Sequence, residues 1–268
     1  MRRDVLEMRA FYASPLGRAA RTMIARKVGE AWGDATGLDV LTFGYATPFA
    51  DGFVEKARRV VAAMPASQGV EAWPMGGANR ACLADETDLP FSASLFDRVL
   101  FVHALEEADN PLRVLQEAAR VMAPSGRLVV AVASRRGLWA NAESSPFGHG
   151  RPFSRRQLED LVREADLEPA GWTRALYLPP VQWAAPWAEG FEQAGAWLWR
   201  PFAGVILLEA VKQVFAVKPN RARARVRVLA PGILAPSPAG TATIHPTART
   251  APASEAPAEA EPLGAWRR

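Results

Sequence analysis

Residues 83–135 decide the fold, and they read LADETDLPFSASLFDRVLFVHALEEADNPLRVLQEAARVMAPSGRLVVAVASR. Residues 97–103 (DRVLFVH) are a short apolar run without helical periodicity, which predicts a strand buried on both faces of a parallel sheet. Residues 127–133 (RLVVAVA) predict a second buried strand. A helical pattern separates the two runs, so the stretch is predicted to form a β-α-β unit with a right-handed crossover.

The helix of this unit has recognisable ends. Asp109 or Asn110 can cap it, and Pro111 suits its first position. Ser125-Gly126 is expected to end it, with Gly126 in the left-handed closing conformation. The apolar positions that recur at helical spacing between these ends are Leu112, Leu115, Ala118, Ala119 and Met122.

Three motifs in this stretch carry a family resemblance: D-E-x-x-L-P-F from Asp85, F-D-x-V from Phe96, and N-P-L-x-x-L-x-E-x-x-R-V-x-x-P-x-G-R-L-V-V from Asn110. Together they resemble the second half of the class I S-adenosylmethionine-dependent methyltransferase core, in its type 11 small-molecule branch. The resemblance weakens over residues 38–61, is faint over residues 154–217 and is absent beyond. It implies an α/β fold, a Rossmann-like doubly wound and mostly parallel seven-stranded sheet, with S-adenosylmethionine as cofactor and a small molecule as methyl acceptor.

The remaining elements are predicted from local patterns. A capped amphipathic helix is expected over residues 14–32, closed by Gly33 and packed on the sheet edge. The turn after the first strand should lead into a helix with Pro48 at its first position, and Ser154 with Gln157 predicts a capping box for a helix over residues 154–165. Further strands are predicted over residues 38–43, 60–64, 80–84, 168–178 and 205–217.

Length and composition favour one domain. The 268 residues are 49% hydrophobic, which suffices for a single core over residues 1–218, with the sheet in residues 38–217. Charges interrupt every apolar run before the roughly 20 residues of a membrane span. The single Cys82 and an N-terminus without a secretory pattern predict a cytoplasmic protein.

Residues 219–268 form a separate, basic and then Ala/Pro-rich tail. They contain seven arginines and three acids, so the whole net charge of +4 lies there. The core is therefore neutral, and no nucleic-acid partner is expected for it. Residues 229–264 bury too little apolar surface to fold and are predicted to be disordered. Residues 221–228 (RARARVRV) are either a solvated basic linker or an edge strand or polyanion-binding patch.

The turn after the first strand is the expected cofactor contact, because ligands of open parallel sheets bind beyond the carboxyl ends of the strands. Methyltransferases of the resembled family carry V-L-D-L-G-x-G-x-G here. This chain keeps Gly44 but has Thr42 for the acid, Ala46 for the second glycine and Pro48 for the third. The resemblance makes Gly44, Tyr45 and Ala46 cofactor-binding candidates, and a tight strand-to-helix turn explains Gly44 and Pro48 equally well.

Two further cofactor contacts, to the ribose and to the adenine, are considered from the resemblance. The family places an acid for the ribose at the end of the second strand, where this chain has Met64-Pro65. Either Glu71 reaches back or the ribose is held in another way. Asp85 and Glu86 occupy the position of the family's acidic loop, which accepts a hydrogen bond from the adenine amino group. The alternative is a solvated turn capped by Asp85.

Two histidines are catalytic candidates. His103 ends the strand that borders the crevice, a position that faces the transferred methyl in the family, and its alternative is a half-buried structural histidine. His149 and Arg151 are candidates for the substrate pocket, since the family places such residues before the following helix. Otherwise their loop merely delivers Ser154 to its cap. One cysteine and three scattered histidines give no metal-ligand spacing, so no metal is predicted.

An aromatic segment and the altered glycine turn leave two questions of function open. The segment is interpreted as a lid or edge helix packed on the sheet, or else as the wall of an apolar substrate site; its large residues are Trp183, Trp187, Phe191, Trp197, Trp199 and Phe202. A membrane-surface role is disfavoured by Glu189 and Glu192. Besides an active enzyme, the changes at Thr42, Pro48 and Met64 are compatible with a catalytically silent methyltransferase-like protein that binds a nucleotide or a partner.

Overall fold

The computed structural model describes residues 3–198 and 202–212. Its strands are β1 (Asp39–Gly44), β2 (Arg59–Pro65), β3 (Ala81–Ala84), β4 (Phe96–Val102), β5 (Met122–Ala133), β6 (Leu167–Ala175) and β7 (Val205–Lys212). They form one sheet in the order β3-β2-β1-β4-β5-β7-β6. Strands β1 to β5 pair in parallel, whereas β7 is antiparallel to both β5 and β6. The predicted Rossmann-like, mostly parallel seven-stranded sheet is confirmed.

The α-helices of the described residues are α1 (Val5–Ala13), α2 (Pro15–Trp32), α3 (Pro111–Val121), α4 (Arg155–Glu164) and α5 (Ala188–Leu198). The predicted caps of α2 and α4 are confirmed. The Ser14 side chain accepts from the Gly17 amide at the start of α2. Ser154 and Gln157 form the expected capping box at the start of α4.

Helix α1 was not predicted, although its pattern is present in the sequence. The Asp4 carboxylate caps the helix by accepting from the Leu6 amide. The buried side chains Val5, Met8, Phe11 and Tyr12 recur at helical spacing. An acid followed by this spacing is an ordinary helix-start signal. This helix proves central to the site.

Helix α2 packs on a face of the sheet, against the edge strand β6 as expected and also against β5 further inside the sheet. Its Ile24 and Val28 belong to the same buried cluster as Val40 of β1 and Leu100 of β4. These are central strands. The apolar stripe of α2 is thus buried in the core on this face, as burial of an amphipathic helix requires.

The opposite face is covered by α3 and α4. Leu115 of α3 and Leu158 of α4 are fully buried in a cluster with Leu41 and Phe101. Because Val40 and Leu100 face the other cluster, neighbouring residues of β1 and β4 alternate between the two faces. Both faces of the sheet are thus buried, as the apolar runs predicted.

The predicted end of the helix in the β-α-β unit is corrected. Helix α3 ends at Val121 and Met122 already begins β5, so the expected end at Ser125-Gly126 is wrong. Pro124 disfavours a helical conformation at Ala123, which explains the earlier stop. Ser125, at φ 60°, adopts the left-handed conformation that was expected of Gly126.

The prediction of a helix after β1 is also wrong. Two 3₁₀ turns, Thr47–Phe49 and Asp51–Phe53, occupy its place. Asp51 is held from the side by Arg21 at 2.6 Å and by the Trp73 indole N–H at 3.0 Å. These contacts fix the segment as a tight connection that leads directly to β2.

The predicted disordered tail, residues 219–268, lies outside the described residues, as does the end of the predicted strand over residues 205–217. Strand β6 ends at Ala175, three positions before the predicted end at Leu178. In the part of the chain that the structure describes, no helix is long and apolar enough to cross a bilayer.

Candidate ligand crevice

The carboxyl ends of β1 and β4 lie side by side at the centre of the sheet, where the chain order reverses. This is the position at which doubly wound folds bind ligands. Tyr45 follows β1 directly, and His103 follows β4 directly. Both side chains are buried. The sequence-predicted turn and the candidate catalytic histidine therefore belong to one crevice.

Gly44 is needed for the approach of the two strands. Its φ is +83°, and a Cβ atom there would lie 2.3 Å from the Val102 carbonyl oxygen and 3.2 Å from the Ala104 Cβ. Only glycine fits such a backbone and such a contact. The close packing of β1 on β4 is thus sufficient to explain Gly44. Ala46, the next small residue of the turn, is completely buried.

His103 has a strained backbone and a buried ring. Its φ of 53° is uncommon for a residue with a side chain. The ring lies 4.6 Å from that of Phe147 between centroids. Burial, with a smaller effect of Arg3, lowers the pKa of His103 to about 3. The imidazole is therefore neutral over the physiological range.

The Tyr12 ring of α1 lies between the two strand ends. Its hydroxyl shares a 2.6 Å hydrogen bond with His103 Nε2. The ring stacks on Tyr45 at 5.7 Å and 13°. Burial, and then the nearby Tyr45 and Glu106, raise the pKa of the Tyr12 phenol. Tyr12 thus lies against the turn after β1, which is the turn that the resemblance assigns to the methionine part of S-adenosylmethionine.

Glu71 does reach back toward the crevice. Its carboxylate accepts from the Tyr45 hydroxyl at 2.7 Å and lies 3.6 Å from the Arg9 guanidinium of α1. Burial and the bond to Glu71 raise the pKa of the Tyr45 phenol. Glu71 is therefore an acid at the rim of the crevice that is engaged by the turn after β1 and by α1.

Asp85 and Glu86 lie in the turn after β3. The Asp85 side chain is exposed, and its Oδ1 accepts from the amide and the hydroxyl of Thr87 at 2.7 and 2.8 Å. These bonds lower the pKa of the Asp85 carboxyl. This is the geometry of the capped-turn alternative. The rings of the crevice are not among the hydrogen-bond partners of Asp85.

Two helical residues that were not singled out from the sequence hold the segment after Asp85. Glu117 Oε2 accepts from the Leu89 amide at 3.0 Å. Arg120 donates to the carbonyls of Leu89 and Phe91, both at 2.8 Å, and pairs with Glu117 at 2.7 Å. The E-x-x-R part of the family motif is therefore a clamp on the L-P-F segment. Its one-turn spacing was the available signal.

His149 and Arg151 lie in one loop but point to different partners. His149 Nε2 lies 3.2 Å from the Arg3 guanidinium, and its Nδ1 lies 3.2 Å from the Ser145 carbonyl oxygen. Since arginine can only donate, Nε2 is the acceptor and Nδ1 carries the proton. Arg151 donates to the Ala108 carbonyl at 2.9 Å. His149 thus borders α1, whereas Arg151 fastens its loop to the segment after β4.

The aromatic segment does not pack as expected. Trp183 and Trp187 are each 69% exposed, Trp197 is 80% exposed and Phe202 is 55% exposed, so the interpretation as a buried lid is wrong for these four. Trp183 and Trp187 line a groove of about 510 Å³ together with Pro186, Glu189, Gly190, Phe191 and Ala194. Glu192 faces inward, where it accepts from the amides of Leu176 and Tyr177.

Comparisons with known proteins agree with this architecture. A family model described as a methyltransferase domain matches residues 17–170, more than half of the chain. No curated protein matches the sequence. A methyltransferase of Thermotoga maritima, S-adenosylmethionine-dependent, is similar in structure, with a TM-score of 0.57 at 20% identity over 78% of this chain and 96% of that one.

Two other solved structures have the same fold. A Haloferax volcanii protein in complex with the Trm112 methyltransferase activator gives a TM-score of 0.58 at 17% identity, covering 80% of this chain and 100% of that one. Geranyl diphosphate C-methyltransferase of Streptomyces coelicolor, solved with S-adenosylhomocysteine, gives a TM-score of 0.51 at 12% identity, covering 70% of this chain and 75% of that one. With the family match, these findings complete the assignment: the chain belongs to the class I S-adenosylmethionine-dependent methyltransferases.

Proposed function

We propose that this methyltransferase acts on a small, largely apolar molecule that binds beside the crevice. The residues beside His103 are aromatic, since the Phe147 ring lies 4.6 Å from that of His103 between centroids and contacts Trp139 edge-on at 5.6 Å. Aromatic walls with few polar groups are typical of small-molecule sites. Residues 1–218 carry no net charge, which favours a small acceptor over a nucleic acid.

The observation that carries this proposal is that Tyr45 and His103, which follow adjacent parallel strands, both contact the ring of Tyr12. The proposed contacts of the methionine part are Gly44, Tyr45 and Ala46. Those proposed for the acceptor are His103, His149 and Arg151. Asp85 and Glu86 are the proposed contacts of the adenine amino group. The acceptor would be an oxygen of their turn, which the hydrogen bonds from Thr87 to Asp85 hold in place.

A transfer assay tests the acceptor class. The full-length chain is incubated with S-adenosylmethionine labelled in its methyl group and with a cell extract, which is then separated into small molecules, RNA and protein. We expect label in the small-molecule fraction, more than in a control with Tyr45→Ala. Label found only in RNA or only in protein would contradict the proposal.

The cytoplasm is the proposed place of action. Cys82 is the single cysteine of the sequence and is free and half-buried. The fold therefore needs no oxidising compartment. Fractionation of cells that express the chain would test this, and recovery outside the cytoplasm would contradict it.

One observation favours a second candidate, a family member that has lost cofactor binding. Tyr12 fills the crevice, and the glycine turn has Thr42 and Pro48 where the family has an acid and a glycine. A silent protein would bind neither S-adenosylmethionine nor its product, even after Tyr12 is removed. The proposed enzyme would bind both.

A further inference from the structure

Helix α1 lies across the carboxyl ends of three strands. Tyr12 contacts Tyr45 after β1 and His103 after β4. Near the other end of the helix, the Val5 amide donates to the Gln68 carbonyl after β2 at 2.9 Å. The helix therefore crosses the ends of β2, β1 and β4, at the edge where a doubly wound sheet binds its ligand.

The segment before α1 continues this cover over the loop that ends at His149. The Arg3 amide donates to Glu107 Oε2 at 3.0 Å. The Arg3 guanidinium donates to His149 Nε2 at 3.2 Å and to the Glu143 carbonyl at 2.5 Å. Residues 3–13, which we name the strap, are thus fastened at both of their ends.

The strap is joined to the core by a single extended residue. Ser14 has φ −70° and ψ 158°, and it separates α1 from α2. Helix α2 has its own buried stripe, including Met23 and Ile24, in the core on this face of the sheet. Helix α1 has nine residues, too few to be stable in water without its packing.

Gly17 provides independent support that this docked state is built in. A Cβ atom at Gly17 would lie 1.9 Å from the Phe11 carbonyl oxygen and 2.8 Å from the Tyr12 Cα. Glycine lowers the stability of a helix interior relative to alanine. Its presence in the first turns of α2 removes the one Cβ that would prevent the strap from folding back over the crevice.

We propose that the strap is an autoinhibitory element whose Tyr12 occupies the cofactor's place, an inference that rests on the proposed function. The cofactor then binds only after the strap swings away at Ser14. Binding of the cofactor and docking of the strap then exclude one another. The observed affinity of such a protein is the intrinsic affinity reduced by the fraction of open molecules. Any change that undocks the strap without altering the crevice must therefore tighten binding.

The test is calorimetric titration of the full-length chain and of two variants with S-adenosylhomocysteine. Gly17→Ala introduces the clash from α2 and leaves every crevice side chain intact. Tyr12→Ala removes the occupying ring. If at most about a tenth of the molecules are open, both variants should bind at least roughly 10-fold more tightly than the unaltered chain. Gly29→Ala is the matched control in the same helix, since a Cβ there meets nothing within 4 Å.

Each result bears on the proposal. If the unaltered chain binds saturably and both variants bind with equal or weaker affinity than it does, the autoinhibitory role of the strap is overturned and the proposed function stands. No binding by the unaltered chain or by either variant would overturn both. Tighter binding by the Gly29→Ala control to the same degree would also overturn the strap, because the effect would not then depend on the clash.

Hydrogen exchange on the unaltered chain gives a readout that does not depend on the folding of a variant. Saturating S-adenosylhomocysteine should increase the exchange of the amides of Val5–Ala13 while it protects those of the turn after β1. Increased protection of α1 would show that the helix closes over the ligand, and this would overturn the exclusion that we propose.

Discussion

The Tyr12 hydroxyl and His103 Nε2 lie 2.6 Å apart although 91 positions separate the two residues in the sequence. Both side chains are buried, and both are neutral at physiological pH because burial raises the pKa of the phenol and lowers that of the imidazole. The bond ties α1 to the end of β4.

The burial of His103 predicts a pH dependence of stability. Its pKa is about 3 in the folded protein and about 6.5 in an unfolded chain. Between these values the unfolded state binds the proton and the folded state does not, so acid lowers stability. The contribution is complete above about pH 6.5 and falls by up to about 1.4 kcal/mol per pH unit below it.

His103→Gln provides the comparison, since its amide can still bond to Tyr12 but does not titrate. The free energy of unfolding, measured in urea at about pH 7 and about pH 4.5, should fall less in the variant than in the unaltered chain. Equal losses in the two proteins would show that His103 does not stay neutral when buried.

Gly44→Ala should destabilise the fold. The substitution combines a positive φ with a Cβ 2.3 Å from the Val102 carbonyl oxygen, which predicts a loss of about 2 to 4 kcal/mol. Gly52→Ala in the next turn is the control, because a Cβ there meets nothing within 4 Å. Chemical unfolding of both variants measures the difference, and equal stabilities would refute the close approach of β1 to β4.

Two substitutions separate the roles of Asp85. Asp85→Asn can keep the Oδ1 acceptor that Thr87 uses, but it places an amide donor where the proposal needs an acceptor for the adenine amino group. We expect an unchanged melting temperature and roughly 5- to 150-fold weaker binding of S-adenosylhomocysteine. Asp85→Ala should weaken binding and also lower the melting temperature, because it removes the bonds that Thr87 donates in the turn. Unchanged affinity in both variants would remove Asp85 from the site.

The tail predicted from composition is testable by deletion. Removing residues 229–268 should change the melting temperature by no more than about 1 °C, because a disordered segment makes few native contacts. Calorimetric melting of the two proteins decides this. A drop of many degrees would mean that the deletion removes part of a folded element.

The sheet was predictable from the sequence because its strands are apolar runs bounded by turn residues. Residues 97–103 and 127–133 became parts of β4 and β5 in parallel register. Helix α1 was missed although Asp4 and the spacing of Val5, Met8 and Tyr12 indicated it. Local patterns are sufficient to indicate both the strands and this helix.

The occupation of the crevice was not predictable in this way. It depends on Tyr12 meeting His103 across 91 positions and on Gly17 admitting the backbone of Phe11. No periodicity records such a contact, because it arises only when α1 folds back on α2. The functions of Glu117 and Arg120 were hidden for the same reason, since their partners lie in the loop after β3.

The central claim is that the crevice has kept its affinity for the cofactor, which binds once α1 has moved away. Calorimetric titration of the full-length chain and of Gly17→Ala with S-adenosylhomocysteine tests it most directly. The predicted result is saturable binding of one molecule per chain by both proteins, tighter in the variant. The absence of binding heat and of any thermal shift in both proteins, at ligand concentrations of about 1 mM, would contradict it and would favour a member of the family that has lost its cofactor.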